Sequence, residues 1–579
     1  MASFFVASDK IQTGQTFVSV PSENGLNYRP GGRIDLYIPP TSKFIDLSQT
    51  KLKMNVSIAM PSSASNEVCR LQLDAETGLH SLIRSVRVFT GRKTALLEEI
   101  EGYDVLTALR FDYEKNKNIV NKRVLTDGAT GYDPACRGTL GTTKTDCANC
   151  FSNPWFPKAE GTQTVRLDND DYQVVTGELE LNTGLFRNEA VFPALLTDGL
   201  FIEILLQDSK RVFRQLDSTV KDRRLHLNPL FHSINGSDNG ATALADAAVS
   251  NVLYFQRANN QTSVSTFPFV VGQSVALALD DNSSFTTTDV HITQIEQVSG
   301  VTYGTAKTKV TLSASVTNNL GADVSVDDSD AYLVSQSVER KATFDPTFTV
   351  SNVFMVVAQI SVPDGYENSM MQMMKEGGTL NYDYRSFTNY RYSQVSSDLV
   401  ANIRLPLIES RATSILCVPT DATVYSAKQA LSCSNTYLID EDTDDVVNRS
   451  NRSGLVGIVD ELQNYQLIYD GKINPSRKVD VSKISNRTSI SQQWCIEAEK
   501  ALAMADIEPL SFRAFRDNFF VGRALALGAN AVYDARGKDF SLQVEYTGAS
   551  GPAKNHLWMN FVSHLRRLVI KQGSIDVLV

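Results

Sequence analysis

The sequence predicts a mainly β protein of several domains, with strands stacked as sandwiches and few helices between them. Three observations carry this. Apolar and polar residues alternate with period two in both halves of the chain, as half-buried antiparallel strands require. Short continuous apolar runs mark strands covered on both faces. Strands do not alternate with long amphipathic helices, which argues against a doubly wound parallel sheet. At 579 residues the chain exceeds what one hydrophobic core organises, so two to four domains are expected.

Along the chain, Leu52, Met54, Val56, Ile58 and Met60 alternate with Lys51, Lys53, Asn55, Ser57 and Ala59, giving one buried and one wet face. Tyr103 to Tyr113 places Val105, Leu106 and Leu109 at helical spacing. The runs Leu200–Leu206 and Val353–Val357 are nearly continuous in apolar residues and read as strands with both faces covered. Between about Ala258 and Ser337 the texture changes to Thr, Ser, Val and Asp, with short strands at Val290–Ile295 and Lys309–Leu312. So long a departure carries its own fold, and a small all-β insertion into the first large domain is expected. Asp364 to Glu376 reads as a helix whose Met370, Met371, Met373 and Met374 fill core, stopping at Gly377-Gly378, a pair suited to a left-handed cap. Alternation resumes at Leu399, Ala401, Ile403, Leu405, at Phe540, Leu542, Val544, Tyr546, and at Ile575, Val577, Val579 after a turn near Gly573. Ser489 and Gln492 form a capping box for a helix that ends before Pro509 and buries Trp494, Ala498, Ala501 and Ala505.

Composition sets further bounds. Hydrophobic residues make up 42% and charged residues 21%, as in ordinary globular proteins, and no run approaches the ~18 apolar residues of a membrane span. Met1 to Ala7 has neither a basic leader nor an adequate apolar run, so secretion is not expected. The seven cysteines are too sparse for a disulfide framework. A net charge of −10 disfavours extensive phosphate contact. The local basic runs Lys210, Arg211, Arg214, then Lys221, Arg223, Arg224, and finally Arg566, Arg567, Lys571 read as solvated faces, with contact to a nucleic acid as the alternative.

The search for chemistry yields no catalytic residue, cofactor cradle or metal site. Nucleotide-binding glycine loops and a His-Glu-x-x-His pair are missing. Gly272, Ser274 and Ala276 only echo a nucleophile elbow, which needs a strand-to-helix turn. Cys147 and Cys150, with Cys136 nearby, fall short of the four ligands of structural zinc and read as reduced loop cysteines. Asp440, Asp442 and Asp444 resemble the start of a calcium loop, but Asp445 stands where the turn glycine belongs and Asn451 where the bidentate glutamate belongs; a solvated acidic loop is expected. His80, His226, His232, His291, His556 and His564 show no i, i+4 pairing and no evident carboxylate partner, so packed or surface histidines are expected.

Tyr28-Arg-Pro-Gly-Gly-Arg-Ile-Asp-Leu36, His80-Ser-Leu-Ile-Arg-Ser-Val-Arg-Val-Phe-Thr-Gly91 and Leu97-Glu-Glu-Ile-Glu-Gly-Tyr103 together resemble the first jelly roll of major capsid proteins from virophages, polinton-like viruses and adintoviruses. Phe348–Val357, Tyr465–Pro475, Phe540–Tyr546 and His564–Ile570 follow in the order of that family. The resemblance implies a double jelly roll, two tandem eight-stranded rolls, three chains of which form a pseudo-hexameric capsomer of an icosahedral shell around double-stranded DNA. It implies as partners the chain itself, neighbouring capsomers, penton and minor capsid proteins, with at most indirect contact to the packaged DNA. It also implies a place in the virion after assembly inside the host cell. The expected division is an N-terminal arm over 1–30, a first roll over 31–363 interrupted by the insertion at 258–337, a helical link over 364–378 and a second roll over 379–579. Phe4, Phe5 and Phe17 are candidate intersubunit anchors.

Two rival readings belong to other classes. A β-sandwich glycan-binding or glycan-cleaving protein requires aromatic platforms and converging carboxylates, which nothing in the sequence singles out. A trimeric fibre or adhesin subunit requires repeats along its length, and none is found.

Overall fold

The computed structural model describes residues 14–59, 71–74, 77–114, 123, 126–127, 173–212, 214–215, 252–255, 275–279, 284–285, 292–297, 308–313, 331–335, 347–422, 431–432, 455–460, 462–481, 491–510, 518–526, 528, 531–546, 552, 555–571 and 574–578. Eight strands of the first part build its roll: β1 (Gly14–Pro21), β2 (Arg33–Ile38), β3 (Phe44–Ala59), β4 (Ile83–Thr90), β5 (Leu96–Glu101), β6 (Gln173–Glu180), β7 (Leu200–Leu206) and β8 (Thr347–Ser361), with the short Asn27–Tyr28 added on β8. They form two antiparallel sheets in the orders β1-β8-β3-β6 and β2-β7-β4-β5. This path is a jelly roll.

The second part repeats it. Strands β9 (Leu380–Gln394), β10 (Val400–Leu405), β11 (Ala412–Asp421), β12 (Leu462–Tyr469), β13 (Lys472–Asp480), β14 (Val521–Ala524), β15 (Phe540–Tyr546) and β16 (His556–Lys571) pair as β9-β16-β11-β14 and β10-β15-β12-β13. Each strand of the second roll stands eight places after its counterpart in the first, and the mainly β double jelly roll is thereby defined by strand order.

Local sequence explains the burial. In β3, Leu52, Met54 and Val56 are buried and the intervening lysines and asparagine are partly exposed. Central strand β11 is buried at every position, because helix α3 (Gln492–Met504) lies beside it and β14. The N-cap of α3 is Ser491, whose hydroxyl accepts the Trp494 N–H; the expected cap, Ser489, lies outside the described residues. The expected stripe of Trp494, Ala498, Ala501 and Ala505 is buried. Helix α1 (Tyr103–Tyr113) follows β5, as its counterpart α3 follows β13.

Helix α2 (Asp364–Lys375) links the rolls, with Asp364 and Glu367 in the first turn, where their charge favours the helix dipole. It ends in a Schellman motif: Gly378 N–H donates to Met373 O at 2.9 Å and Gly377 N–H to Met374 O at 3.1 Å, with Gly377 at φ +82°. Met370 and Met374 are buried, whereas Met371 is exposed, so only part of the Met cluster fills core. Among the described residues no helix is long and apolar enough to cross a membrane.

Two boundaries differ from expectation. β1 lies inside the stretch expected as an arm and pairs along its length with β8, from Gly14 opposite Ser361 to Pro21 opposite Phe354. Its two faces are both exposed, so it carries no period-two signal. The insertion between β7 and β8 includes Val252–Phe255, upstream of residue 258, which pairs with Thr308–Leu312; the latter also pairs with Ile292–Gln297. Composition shifts later in the chain than strand pairing does. A second small sheet joins Val275–Leu279 to Ser284–Phe285 and Ala331–Ser335.

Because successive strands run in opposite directions, connections alternate between the two ends of each roll. The short links 39–43, 91–95, 406–411 and 470–471 share one end with 181–199 and 525–539. The long connections 60–82, 102–172, 207–346, 422–461 and 481–520 all leave from the other. There Arg214–Gln215 pairs with Leu71–Gln72 of the same roll and Leu431–Ser432 of the other.

In the second roll the link equivalent to 207–346 is only 547–555, so the roll itself does not need the insertion. Replacing residues 216–346 by a short Gly/Ser linker is expected to leave a β-type circular dichroism spectrum and a cooperative melting transition; loss of that transition shows that the insertion is part of the first roll's core.

Candidate functional site: the seam between the two rolls

Strand β5 is an edge strand of the first roll, and an edge exposes unpaired carbonyls that invite further pairing. Here the second roll covers it. Leu97 O accepts the Tyr384 hydroxyl and, at 2.7 Å, Arg566 Nη1. Glu101 O accepts Asn389 Nδ2 at 2.9 Å, and the Glu101 carboxylate lies 2.8 Å from Arg391 Nη2.

At the centre stands Glu98, fully buried. Its carboxylate accepts the N–H groups of Gly184 and Leu185, each at 2.9 Å, and the Ser386 hydroxyl at 2.8 Å. Burial pushes its pKa above the usual carboxylate range, against the opposing pull of hydrogen bonds from Leu185 and Ser386, the Arg566 charge and the Gly184 N–H. Gly184 is required by space: a Cβ there would stand 1.5 Å from Arg385 O.

The seam extends toward both ends. Toward the long connections, Tyr113 donates to Asn518 O at 2.9 Å, Asn518 Nδ2 donates to Asp112 at 2.8 Å, and Arg110 donates to Asp506 O at 3.0 Å. Toward the short ones, Tyr382 donates to Ala190 O at 2.9 Å and packs edge-on against Phe192 with ring centroids 5.7 Å apart. The two rolls therefore meet along a contact in which hydrogen bonds to groups far away in sequence lie within a hydrophobic cluster that spans both rolls.

The residues singled out by sequence fall as follows. Asp440, Asp442, Asp444, Cys136, Cys147, Cys150, Gly272, Ser274, Phe4, Phe5, His226, His232, His291, Lys221, Arg223 and Arg224 lie outside the described residues. Ala276 sits in a strand and not in a strand-to-helix turn. Among the described residues no group of three or more His, Cys, Asp or Glu could hold a metal ion.

Two histidines do have carboxylate partners, contrary to expectation, because the partners come from distant loops. His80 Nε2 lies 3.5 Å from Asp127, and its Nδ1 lies 2.9 Å from the Tyr103 hydroxyl. Burial raises the Asp127 pKa, but the hydrogen bond and charge of His80, with Thr126 and Arg123, outweigh it and hold the carboxyl below its ordinary value. His556 Nε2 lies 2.8 Å from Asp460, with Tyr546 on its other nitrogen at 3.2 Å. Both rings are about 1% exposed, so they lock core and face no substrate.

The basic runs are internal in part. Arg566 caps Leu97 O and donates to His564 at 3.0 Å, Arg567 forks onto Asp383 with both contacts at 2.7 Å, and buried Arg211 approaches Asp104 at 3.7 Å. For Arg566 and Arg211 the solvated-face reading does not hold, because their acceptors lie on β5 and on α1, whereas Arg567 and Lys571 are partly or largely exposed. Glu98 and Ser386 escaped sequence reasoning altogether, since nothing in Leu97-Glu-Glu-Ile distinguishes a glutamate covered by another roll from one facing water.

No family model matches the chain, and no curated protein matches it. Among solved structures, it is similar to VP54 of PBCV-1 fitted into a cryo-EM reconstruction of the virophage Sputnik, at 10% identity over 100% of this chain and 99% of that chain, with a TM-score of 0.45. It is also similar to the Faustovirus major capsid protein, at 8% identity over 99% and 93%, TM-score 0.46, and to the mavirus major capsid protein, at 8% over 99% and 91%, TM-score 0.39. The fold assignment rests on strand order and not on these likenesses.

Glu98→Ala leaves two backbone N–H groups and a hydroxyl buried without their acceptor, and is expected to cost roughly 3–5 kcal/mol in urea unfolding. Asp539→Asn breaks an ion pair with Arg404 in which both side chains are more than two-thirds exposed, and is expected to change stability by less than about 0.5 kcal/mol. Equal costs for the two substitutions contradict the seam's central role.

His564 gives a pH-dependent test. Burial, then the Arg566 and Arg385 charges, hold its pKa down to about 3, against an ordinary 6.5. The unfolded chain therefore takes up the proton first, so stability present above 6.5 is lost as pH falls toward 3. Melting temperatures are expected to fall with pH more steeply in the native chain than in His564→Gln; parallel slopes rule this out.

Proposed function

We propose that the chain is a major capsid protein, three copies of which join as a pseudo-hexagonal capsomer, and that capsomers tile the icosahedral shell of a double-stranded DNA virus. One observation carries the reading: two rolls of identical strand order stand side by side on a buried seam, with the five longest connections at one end. A brick with one plain end and one elaborated end suits tiling, since the flanks hold the contacts and the loops vary without disturbing them.

The rolls span 14–361 and 380–571, α2 links them, and the insertion between β7 and β8 projects from the elaborated end as a tower. The plain end mixes Lys43, Arg92 and Lys538 with Asp198, Asp364, Glu376 and Asp534. Such a surface has no single-sign field, so any contact with packaged DNA is indirect or routed through minor proteins. Penton proteins and neighbouring capsomers are the other partners. No reaction is assigned; the mechanism is assembly by many reversible contacts summed through multivalency.

Light scattering and negative-stain electron microscopy of the purified full chain test this. Trimers of hexagonal outline, and shells or tiled sheets on concentration, are expected. Monomers that bind or hydrolyse polysaccharide overturn the reading in favour of a glycan-directed sandwich.

A further inference from the structure

Two buried histidines carry the same kind of partners, a carboxylate at Nε2 and a tyrosine hydroxyl at Nδ1, yet their proton counts differ. An imidazole nitrogen that faces a carboxylate donates to it, so the charge of the ring turns on which way the tyrosine hydroxyl points. At His80 the Tyr103 oxygen accepts the Asn182 N–H at 2.8 Å, and Thr107 can also donate to it. The Tyr103 proton is therefore free for Nδ1, and a neutral ring completes the set.

At His556 the equivalent proton is already claimed. The Tyr546 hydroxyl donates to Gln394 Oε1 at 3.0 Å, and the same oxygen accepts the Trp558 indole N–H at 2.7 Å. An indole can only donate, so it fixes the amide with its oxygen toward this pair. Gln394 Nε2 is left buried without a hydrogen-bond partner among the described residues, because one oxygen serves two donors. Nδ1, 3.2 Å from the Tyr546 oxygen, must then supply a proton, while Nε2 supplies another to Asp460 at 2.8 Å. Burial pushes the Tyr546 pKa upward, the Gln394 hydrogen bond opposing and the Asp460 and Asp398 charges assisting, so the phenol keeps its own proton.

We infer that His556 is held as an imidazolium, and that its Nδ1 proton locks the returning end of the 422–461 connection onto the second roll, a lock that holds at neutral pH and opens as pH rises. The titratable groups around the ring are Asp460, Tyr546, Asp421 directly opposite on β11, and Asp398, which acts on the same hydroxyl; the carboxylates favour a charged ring. Asp460 has φ +41°, a conformation that a residue other than glycine keeps only when its surroundings hold it. The segment before it is buried against the roll: Ile458 N–H donates to Pro419 O at 2.9 Å, and Gly457 N–H to Asn518 at 2.8 Å. When the Nδ1 proton passes to solvent, bare lone pairs of Nδ1 and Tyr546 face each other and Asp460 loses its counter-charge, so the contact weakens with rising pH. The His80 contact needs no second proton and does not follow. The lock belongs to the single chain and does not rest on the capsomer reading.

The test uses the full chain labelled with ¹⁵N at histidine, His556→Gln and His80→Gln assigning the two rings. At neutral pH His556 is expected to be protonated on both nitrogens and His80 on one. Hydrogen exchange at Leu455–Val459, corrected for the intrinsic effect of pH, is expected to lose protection several-fold between neutral and mildly alkaline pH. In Gln394→Leu the Tyr546 proton turns to Nδ1, a neutral ring suffices, and that pH dependence is expected to vanish. A neutral His556 at neutral pH overturns the inference, as does protection at Leu455–Val459 that stays constant across the range. Equal loss of protection around His80 overturns it too, since the effect is then a general loosening. A Gln394→Leu chain that folds and keeps the native pH dependence overturns the proton count; if that variant misfolds, the nitrogen signals and exchange of the native chain decide.

Discussion

A sheet of four strands has two edges, and each edge is a row of unpaired backbone groups that must be paired, covered or made repellent. Much of this protein's organisation answers that constraint at one place, the outer edge of β5. Side chains from β9 and β16 take its carbonyls, and the Glu98 carboxylate gathers donors from the 181–199 link and from β9. A buried carboxylate with three donors tolerates little displacement, since losing any partner leaves a polar group in a dry seam. The relative placement of the rolls is therefore set by hydrogen-bond geometry, by the close approach at Gly184 and by the apolar cluster that spans both rolls.

Fixing the rolls side by side also fixes which ends coincide. Alternation of strand direction sends every second connection to the same end, and the pairing of Arg214–Gln215 with segments of both rolls shows that the elaborated ends coincide. The five longest connections all leave from there. The links at the other end are held by contacts such as Gly91 N–H to Gly199 O at 2.9 Å and Tyr533 N–H to Ala412 O at 2.8 Å. A long insertion at that end would have to break such contacts.

The sequence made some of this legible and hid the rest for definite reasons. Period-two alternation exposed β3, β10 and β15, whose inner and outer faces see core and water. The spacing of Trp494, Ala498, Ala501 and Ala505 marked the buried face of α3, and Gly377-Gly378 marked the end of α2. β1 gave no such signal, because neither of its faces is buried within one chain. Glu98, Arg566 and the two His–Asp pairs gave none either, since their meaning depends on partners brought together by the fold. Local pattern reports local environment; a carboxylate's role across a seam is set by strands hundreds of positions away.

The two rolls follow one path with no sequence repeat between them. Strand order is maintained by backbone ladders and by the requirement that inward positions be apolar, a condition many sequences satisfy. The flank residues answer to different demands. At the inner seam they hold two parts of one chain that never separate, which suits a dense polar network with exact donors and acceptors. On β1 and β13 the described side chains are mostly exposed, and an uncharged β1 leaves no buried charge unpaired there. One strand path thus carries a buried contact at β9 and β5 and exposed surface at β1 and β13.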